Sequence, residues 1–217
     1  MKENFMNITL SHLHNSIIEM MTLCENQIES SIDCMMRKDL NLAQEIIEND
    51  KNINSIRSDL INKSIELIVL KQPMAIDMRA IYATIMTCMF LERIGDYCVD
   101  IANEVIDIGS ETYIKELVDL PKMGSLCLDM FKITKQSLID EDTQNIYKMG
   151  EKDDAVDDIY KKIRLDLIEK MKEDENNIEQ AEKLLFISRY LERIADHITN
   201  ICEQIIYKVD GKLIEIG

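Results

Sequence analysis

The chain is 217 residues long and 46% hydrophobic, and its 41 Asp and Glu outnumber its 25 Lys and Arg to leave a formal net charge of -16. That length and apolar content support a globular core, in one domain or two small ones. The acidity opposes phosphate backbones and anionic lipid alike, so no nucleic acid partner is expected and a membrane is reached only through protein partners.

Six Gly, two Pro and no Trp leave long stretches rich in Leu, Ile, Met, Glu and Lys, which predicts an all-α protein. The first amphipathic stretch runs from about Phe5 to Met36, with Ile17, Met21, Cys24, Ile28, Ile32 and Met35 at steps of three and four. Asp39 is placed to cap a second helix, whose stripe passes through Ile46, Ile53, Ile56, Leu60 and Leu67 to Leu70 before Gln72-Pro73 stops it. Pro73 and Asp77 suit the first turn of a third helix, by fixed φ and by dipole. The Gln72 to Arg79 segment as a partner surface is the competing reading. The third helix carries Ile81, Ile85, Cys88, Leu91, Ile94, Cys98, Ile101 and Val105 and ends at Gly109-Ser110.

The second half repeats this plan. A fourth helix is expected from about Glu111 or Pro121 to Leu138, a fifth from about Asp142 to Lys172 and a sixth from about Asn177 to Val209. Short links between long helices predict two tandem antiparallel three-helix bundles, residues 1–110 and 111–217. The six cysteines form no C-x-x-C pair and fall in apolar helical stretches, so they read as reduced core residues. Glu3, Asn4, His12, His14 and Glu19 interrupt the opening segment, and no apolar run approaches membrane-spanning length. A cytoplasmic protein is the expectation.

The repeat is sharpest in one heptamer. Leu91-Glu92-Arg93-Ile94-Gly95-Asp96-Tyr97 returns one hundred residues later as Leu191-Glu192-Arg193-Ile194-Ala195-Asp196-His197, with five positions identical. On a helix Glu92, Asp96 and Asp100 fall within an arc of roughly 80°, opposite Leu91, Ile94, Cys98 and Ile101. The last helix repeats the stripe as Glu192, Asp196 and Asn200. Each preceding helix adds its own spaced pair, Asp50 with Asn54 and Asp153 with Asp157.

This pattern reads two ways. A solvated acidic face accounts for any lone E-x-x-x-D pair in so acidic a chain. Yet like charges at i, i+4 destabilise a helix by about 0.2–0.5 kcal/mol per pair, and no lysine interleaves the stripe, so a cation would relieve it. Carboxylates about 6 Å apart on one helix, met by others from a neighbour, suit hard or borderline cations. Zinc, manganese, magnesium and iron all meet that description. A ferritin-like di-iron centre would need Glu-x-x-His pairs, and none of His12, His14 or His197 has Glu three residues before it. His197 lies off the stripe and reads as a packed or surface histidine, while Arg93 and Arg193 read as partners of neighbouring acids. The stripe is expected to point outward, away from the core.

These residues resemble the PhoU-type phosphate-transport regulatory proteins, marked by a repeated E-R-I-x-D segment. Besides the heptamers, the resemblance rests on Asp50-x-x-Ile53-Asn54, Gln72-Pro73 with Asp77-Met78-Arg79, Asp153-x-x-Val156-Asp157 and His197-x-x-Asn200-Ile201-x-Glu203. It implies twin three-helix bundles and a cytoplasmic, non-enzymatic regulator of phosphate uptake and phosphate-starvation signalling. The implied partners are a phosphate ABC transporter ATPase subunit, a sensor histidine kinase and a second copy of the chain in a homodimer. It also implies divalent or trivalent metal ions on Asp50, Asn54, Glu92, Asp96 and Asp100, and again on Asp153, Asp157, Glu192, Asp196 and Asn200. Asn54 and Asn200 are neutral where the pattern is acidic, which weakens those positions as ligands. The alternatives are a metal-free helical adaptor and a carboxylate-metal phosphohydrolase, for which no nucleophile, base and oxyanion hole can be assembled from the motifs.

Overall fold

A computed structural model describes residues 2–216 of the chain, with side chains from residue 8 onward; Glu3, Asn4 and Phe5 therefore lie outside the described side chains. Six long helices make up the fold: α1 (Lys2–Arg37), α2 (Leu40–Lys71), α3 (Ala75–Ile108), α4 (Asp119–Asp140), α5 (Met149–Glu173) and α6 (Ile178–Asp210), with a 3-10 turn at Glu175–Asn177 before α6. They form two tandem three-helix bundles, α1 to α3 and α4 to α6, and α3 and α6 share the largest helix interface. No strand occurs among the described residues, and none of the described helices is long and apolar enough to cross a membrane.

Local chemistry sets most helix ends. The Asp39 carboxylate accepts the amides of Asn41 and Leu42 at 3.1 Å, satisfying two of the orphan donors at the start of α2. Gln72 takes a left-handed conformation and returns its amide to Ile68, closing α2. Pro73 then precedes the Met74 cap, outside the first turn of α3 where it was expected, and serves as the stop of α2. Asp77 does sit in that first turn, accepting the Met74 amide at 3.3 Å. Gly109 caps α3 at φ 65°.

The fifth helix starts at Met149, seven residues later than the sequence pattern indicates. Asp142 accepts the Gln144 amide at 3.0 Å in a local turn, while Thr143 and Tyr147 donate to Asp210 at 3.0 and 2.8 Å. Side chains that bond the end of α6 hold residues 142–148 in turns, an outcome local periodicity does not register.

Apolar faces of all six helices meet in one continuous core that includes Met20, Leu91, Ile94, Phe131, Leu191 and Ile194. All six cysteines are buried and unpaired. Cys24 donates to the Leu91 carbonyl and Cys127 to the Leu191 carbonyl, at 3.4 and 3.3 Å, so equivalent thiols support equivalent heptamers. The link between bundles is tied down by Tyr113 to the Met35 carbonyl at 2.6 Å, and by Gln180 to both Thr112 and Ile114.

Candidate metal centres

Each acidic stripe lies where the third helix of a bundle packs against the second. In the first bundle Asp50 and Asn54 on α2 face Glu92 and Asp96 on α3. Asp50 rests over Gly95, where a Cβ would stand 2.8 Å from its Oδ1. Glycine permits this close approach. Asn54 donates to Asp50 at 2.5 Å, Arg57 pairs with Glu92, and Arg93 reaches Asp96 at 3.1 Å with its Nε 3.6 Å from Glu92. Asp100 continues along α3, within electrostatic reach of Asp96 and of Tyr190 on α6.

The second bundle repeats the layout with exchanged parts. Asp153 on α5 neighbours Asp196, Asp157 and Glu192. Arg193 pairs with Asp196 at 2.9 Å, matching Arg93, and Asn200 donates to the Asp196 carbonyl at 2.7 Å. The cation for Glu192 comes from Arg189 on the same helix, at 2.5 Å, whereas Glu92 draws on Arg57 of α2. At the position of α5 that answers to Arg57 stands Tyr160, with the Arg189 guanidinium 5.8 Å from its ring centre.

The outward-facing stripe is corrected by these positions. Glu92 is 7% exposed, and Asp50, Asp96, Asp100, Asp153, Glu192 and Asp196 are partly buried. The helical wheel locates the apolar face of α3 but not its second flank, which α2 covers. Burial, with Asp96 and Glu92 nearby, holds the Asp50 carboxyl above its ordinary range. Burial and Asp96 do the same for Asp100. Burial and the surrounding acids push Asp153 up to about 6. Glu192 is raised by burial and Asp196 against the opposing pull of Arg189 and Arg193.

These sites fit an oxygen-ligated cation in chemical type. Asp50 Oδ1, Glu92 Oε2 and Glu192 Oε2 are buried acceptors with no hydrogen-bond partner, and a carboxylate oxygen in that condition favours a positive ligand. As the side chains stand, among the described residues no three of His, Cys, Asp and Glu take up metal-ligand spacing. The acids are turned toward arginines. Arg57 and Arg189 escaped the sequence reading; Arg189 was legible as an i, i+3 partner of Glu192, while Arg57 acts from 35 residues away.

Between the two sites the repeat becomes a pseudo-twofold. Tyr97 stacks on Tyr190 at 5.9 Å and His197 on Phe90 at 5.7 Å, pairs that exchange under the hundred-residue shift. Tyr97 and His197 stack on each other at 5.7 Å across the centre. Burial holds the His197 imidazole below its ordinary pKa, in keeping with a packed histidine. Beside it a groove of about 480 Å³ is lined by Arg93, Arg193, Asp153, Asp196, Asn200 and Glu203 among others. At the α2 to α3 turn Val69, Leu70, Met74 and Ile76 are 61–76% exposed, four large apolar side chains presented to solvent within eight residues.

The PhoU domain model matches the chain twice, over residues 17–105 and 120–205. A phosphate-specific transport system accessory protein PhoU homolog of Clostridium acetobutylicum is 33% identical over 209 residues, covering 96% of this chain and 95% of the relative. Its namesake from Caulobacter vibrioides is 31% identical over 204 residues, covering 94% and 89%. The crystal structure of PhoU from Pseudomonas aeruginosa superposes with a TM-score of 0.91 at 28% identity, covering 95% of this chain and 99% of that one. That of the phosphate transport system regulatory protein PhoU from Streptococcus pneumoniae gives 0.90 at 27% identity, covering 97% and 99%.

Proposed function

Because this chain belongs to the PhoU family, we propose that it is a non-enzymatic accessory regulator of a phosphate-specific transport system, acting from the cytoplasm. Its partners in this reading are the transporter's ATPase subunit, the sensor histidine kinase of the phosphate response and a second copy of the chain. The observation that carries the reading is the double family match, which takes in both acidic heptamers and nearly the whole of both bundles. The exposed apolar turn at Val69 to Ile76 is a surface of the kind that protein partners cover.

Within this role the two acidic clefts hold divalent or trivalent cations. Asp50, Glu92 and Asp96, with Asn54 and Asp100 at the edges, would hold one set; Asp153, Asp157, Glu192 and Asp196, with Asn200, the other. A bound ion supplies positive charge that joins the second helix of each bundle to the third, setting the shape of the surface offered to partners. The protein's own part is to present carboxylates from two helices in each cleft, with arginines that offset the charge of the third-helix carboxylates when no ion is present.

Those arginines also support a second reading, a metal-free adaptor. Arg57, Arg93, Arg189 and Arg193 already offset the stripes, so the bundles do not need a cation to remain folded. Co-purification of the tagged chain from phosphate-replete cells tests the regulatory role. Recovery of the ATPase subunit and the kinase is expected, and loss of both would overturn it. Elemental analysis of protein prepared without chelator separates the two readings, since bound iron, zinc, manganese or magnesium is expected only for the first.

A further inference from the structure

Besides Asn54 against Asp157 and Arg57 against Tyr160, the two clefts differ in where the third helix carries its last acid and in one segment of chain. In the first bundle the third helix carries Asp100 and Asn103; in the second the equivalent positions are Asn200 and Glu203. The carboxylate has moved three residues along the helix, which keeps it on the same face. Glu203 and Asn200 accordingly line one groove together with Asp153 and Asp196.

Glu203 is engaged. After Gly211 caps α6, residues 212–216 run back along the helix, with Ile214 and Ile216 packed against the core, and the Ile216 amide donates to Glu203 Oε1 at 3.0 Å. The carbonyl of Ile216 fits over Gly150, in the first turn of α5, where a Cβ would collide with it. Nothing local requires glycine there, because position 150 lies inside a helix and does not have positive φ. Its effect is a notch that seats the tail. The seat lies three residues from Asp153, at the edge of the second cleft.

We propose that Glu203 is the acidic donor that replaces the one missing at Asn200, and that the tail, seated in the Gly150 notch, competes with a cation for it. The inference rests on the cation reading of the clefts given above. It makes the second cleft a gated site and the first an ungated one. Anything that lifts residues 212–216 from α6 frees the Glu203 carboxylate and tightens ion binding there.

The test uses the full chain with the first cleft disabled by Glu92→Ala and Asp96→Ala, with Mn²⁺ as probe and its binding read by electron paramagnetic resonance. In this background Gly150→Ala is expected to speed hydrogen exchange at residues 212–216 and to tighten Mn²⁺ about tenfold, the scale of one charge-assisted hydrogen bond removed from competition. Adding Glu203→Gln is expected to abolish that gain while leaving the tail released. Alanine favours helix over glycine, so folding of the variant is not at risk from position 150 itself. A released tail with unchanged Mn²⁺ affinity, a gain that survives Glu203→Gln, or a tail that stays protected in Gly150→Ala overturns the gate alone. Absence of Mn²⁺ uptake by the unmodified chain, even with its tail exchanging normally, overturns the cation reading and the gate with it.

Discussion

Arg57→Met isolates what the arginines contribute to the first cleft. The Glu92 side chain is 9% exposed and that of Arg57 28%, so the substitution leaves a largely buried carboxylate without its cross-helix cation. Removing one member of a buried pair costs about 3–5 kcal/mol. Arg57 is partly open to solvent and Arg93 Nε remains 3.6 Å from Glu92 Oε2, which reduces the expected loss to about 2–3 kcal/mol. Urea denaturation followed by far-UV circular dichroism at neutral pH reads this as a lower midpoint with an unchanged slope. Adding Glu92→Gln removes the stranded charge and should bring the loss back to about 1 kcal/mol. Millimolar Mn²⁺ should stabilise Arg57→Met more than the unmodified chain, because the competing guanidinium is gone. A loss under about 0.5 kcal/mol, or one that Glu92→Gln leaves unrelieved, would refute the pairing as a source of stability.

The acid in the second cleft makes a pH prediction. Asp153 titrates near 6 in the folded protein against 3.8 for the free group, so the folded state holds the extra proton in that window and Asp153's stabilising contribution, complete below about pH 4, is lost as pH rises through about 6. In protein stripped of metal by chelator, Asp153→Asn should therefore be the more stable at neutral pH, by about 1–2 kcal/mol after allowance for its half-buried position; a flat difference between the two urea-midpoint profiles across that window would contradict it. Glu92→Ala with Asp96→Ala should remove the ions of the first bundle and spare those of the second, and elemental analysis showing unchanged stoichiometry would count against the site assignment. Tyr97→Ala loses two ring contacts across the pseudo-twofold and should cost about 2–3 kcal/mol in chemical denaturation; a cost no greater than about 0.5 kcal/mol would mean the ring stack contributes little to joining α3 to α6.

The helices and their duplication were legible because they rest on local rules. Apolar side chains at steps of three and four mark a buried stripe wherever the chain goes, Asp39 caps the helix beside it, and two heptamers with five shared residues carry their spacing with them. The same rules placed Glu92, Asp96 and Asp100 on one face of α3, and Asp50 with Asn54 on one face of α2. They did not tell which way that face points. A wheel describes one helix, and the flank of α3 was assigned to solvent because nothing local indicates that α2 covers it. Likewise Asp142 to Lys148 has helical periodicity, yet its hydrogen bonds go to Asp210, some 63 to 67 residues away.

By itself, then, the sequence determined the six helices, the two bundles, the family and the residue types of both clefts, since each is written in neighbours within a few turns of helix. Tertiary structure alone decided that the acids are half-buried against a second helix, that Arg57 reaches Glu92 from α2 while Arg189 serves Glu192 from within α6, and that Ile216 lies over Gly150 and Glu203. Burial and charge pairing depend on what packs across from a side chain, and that partner is brought there by the fold rather than by adjacency in the chain.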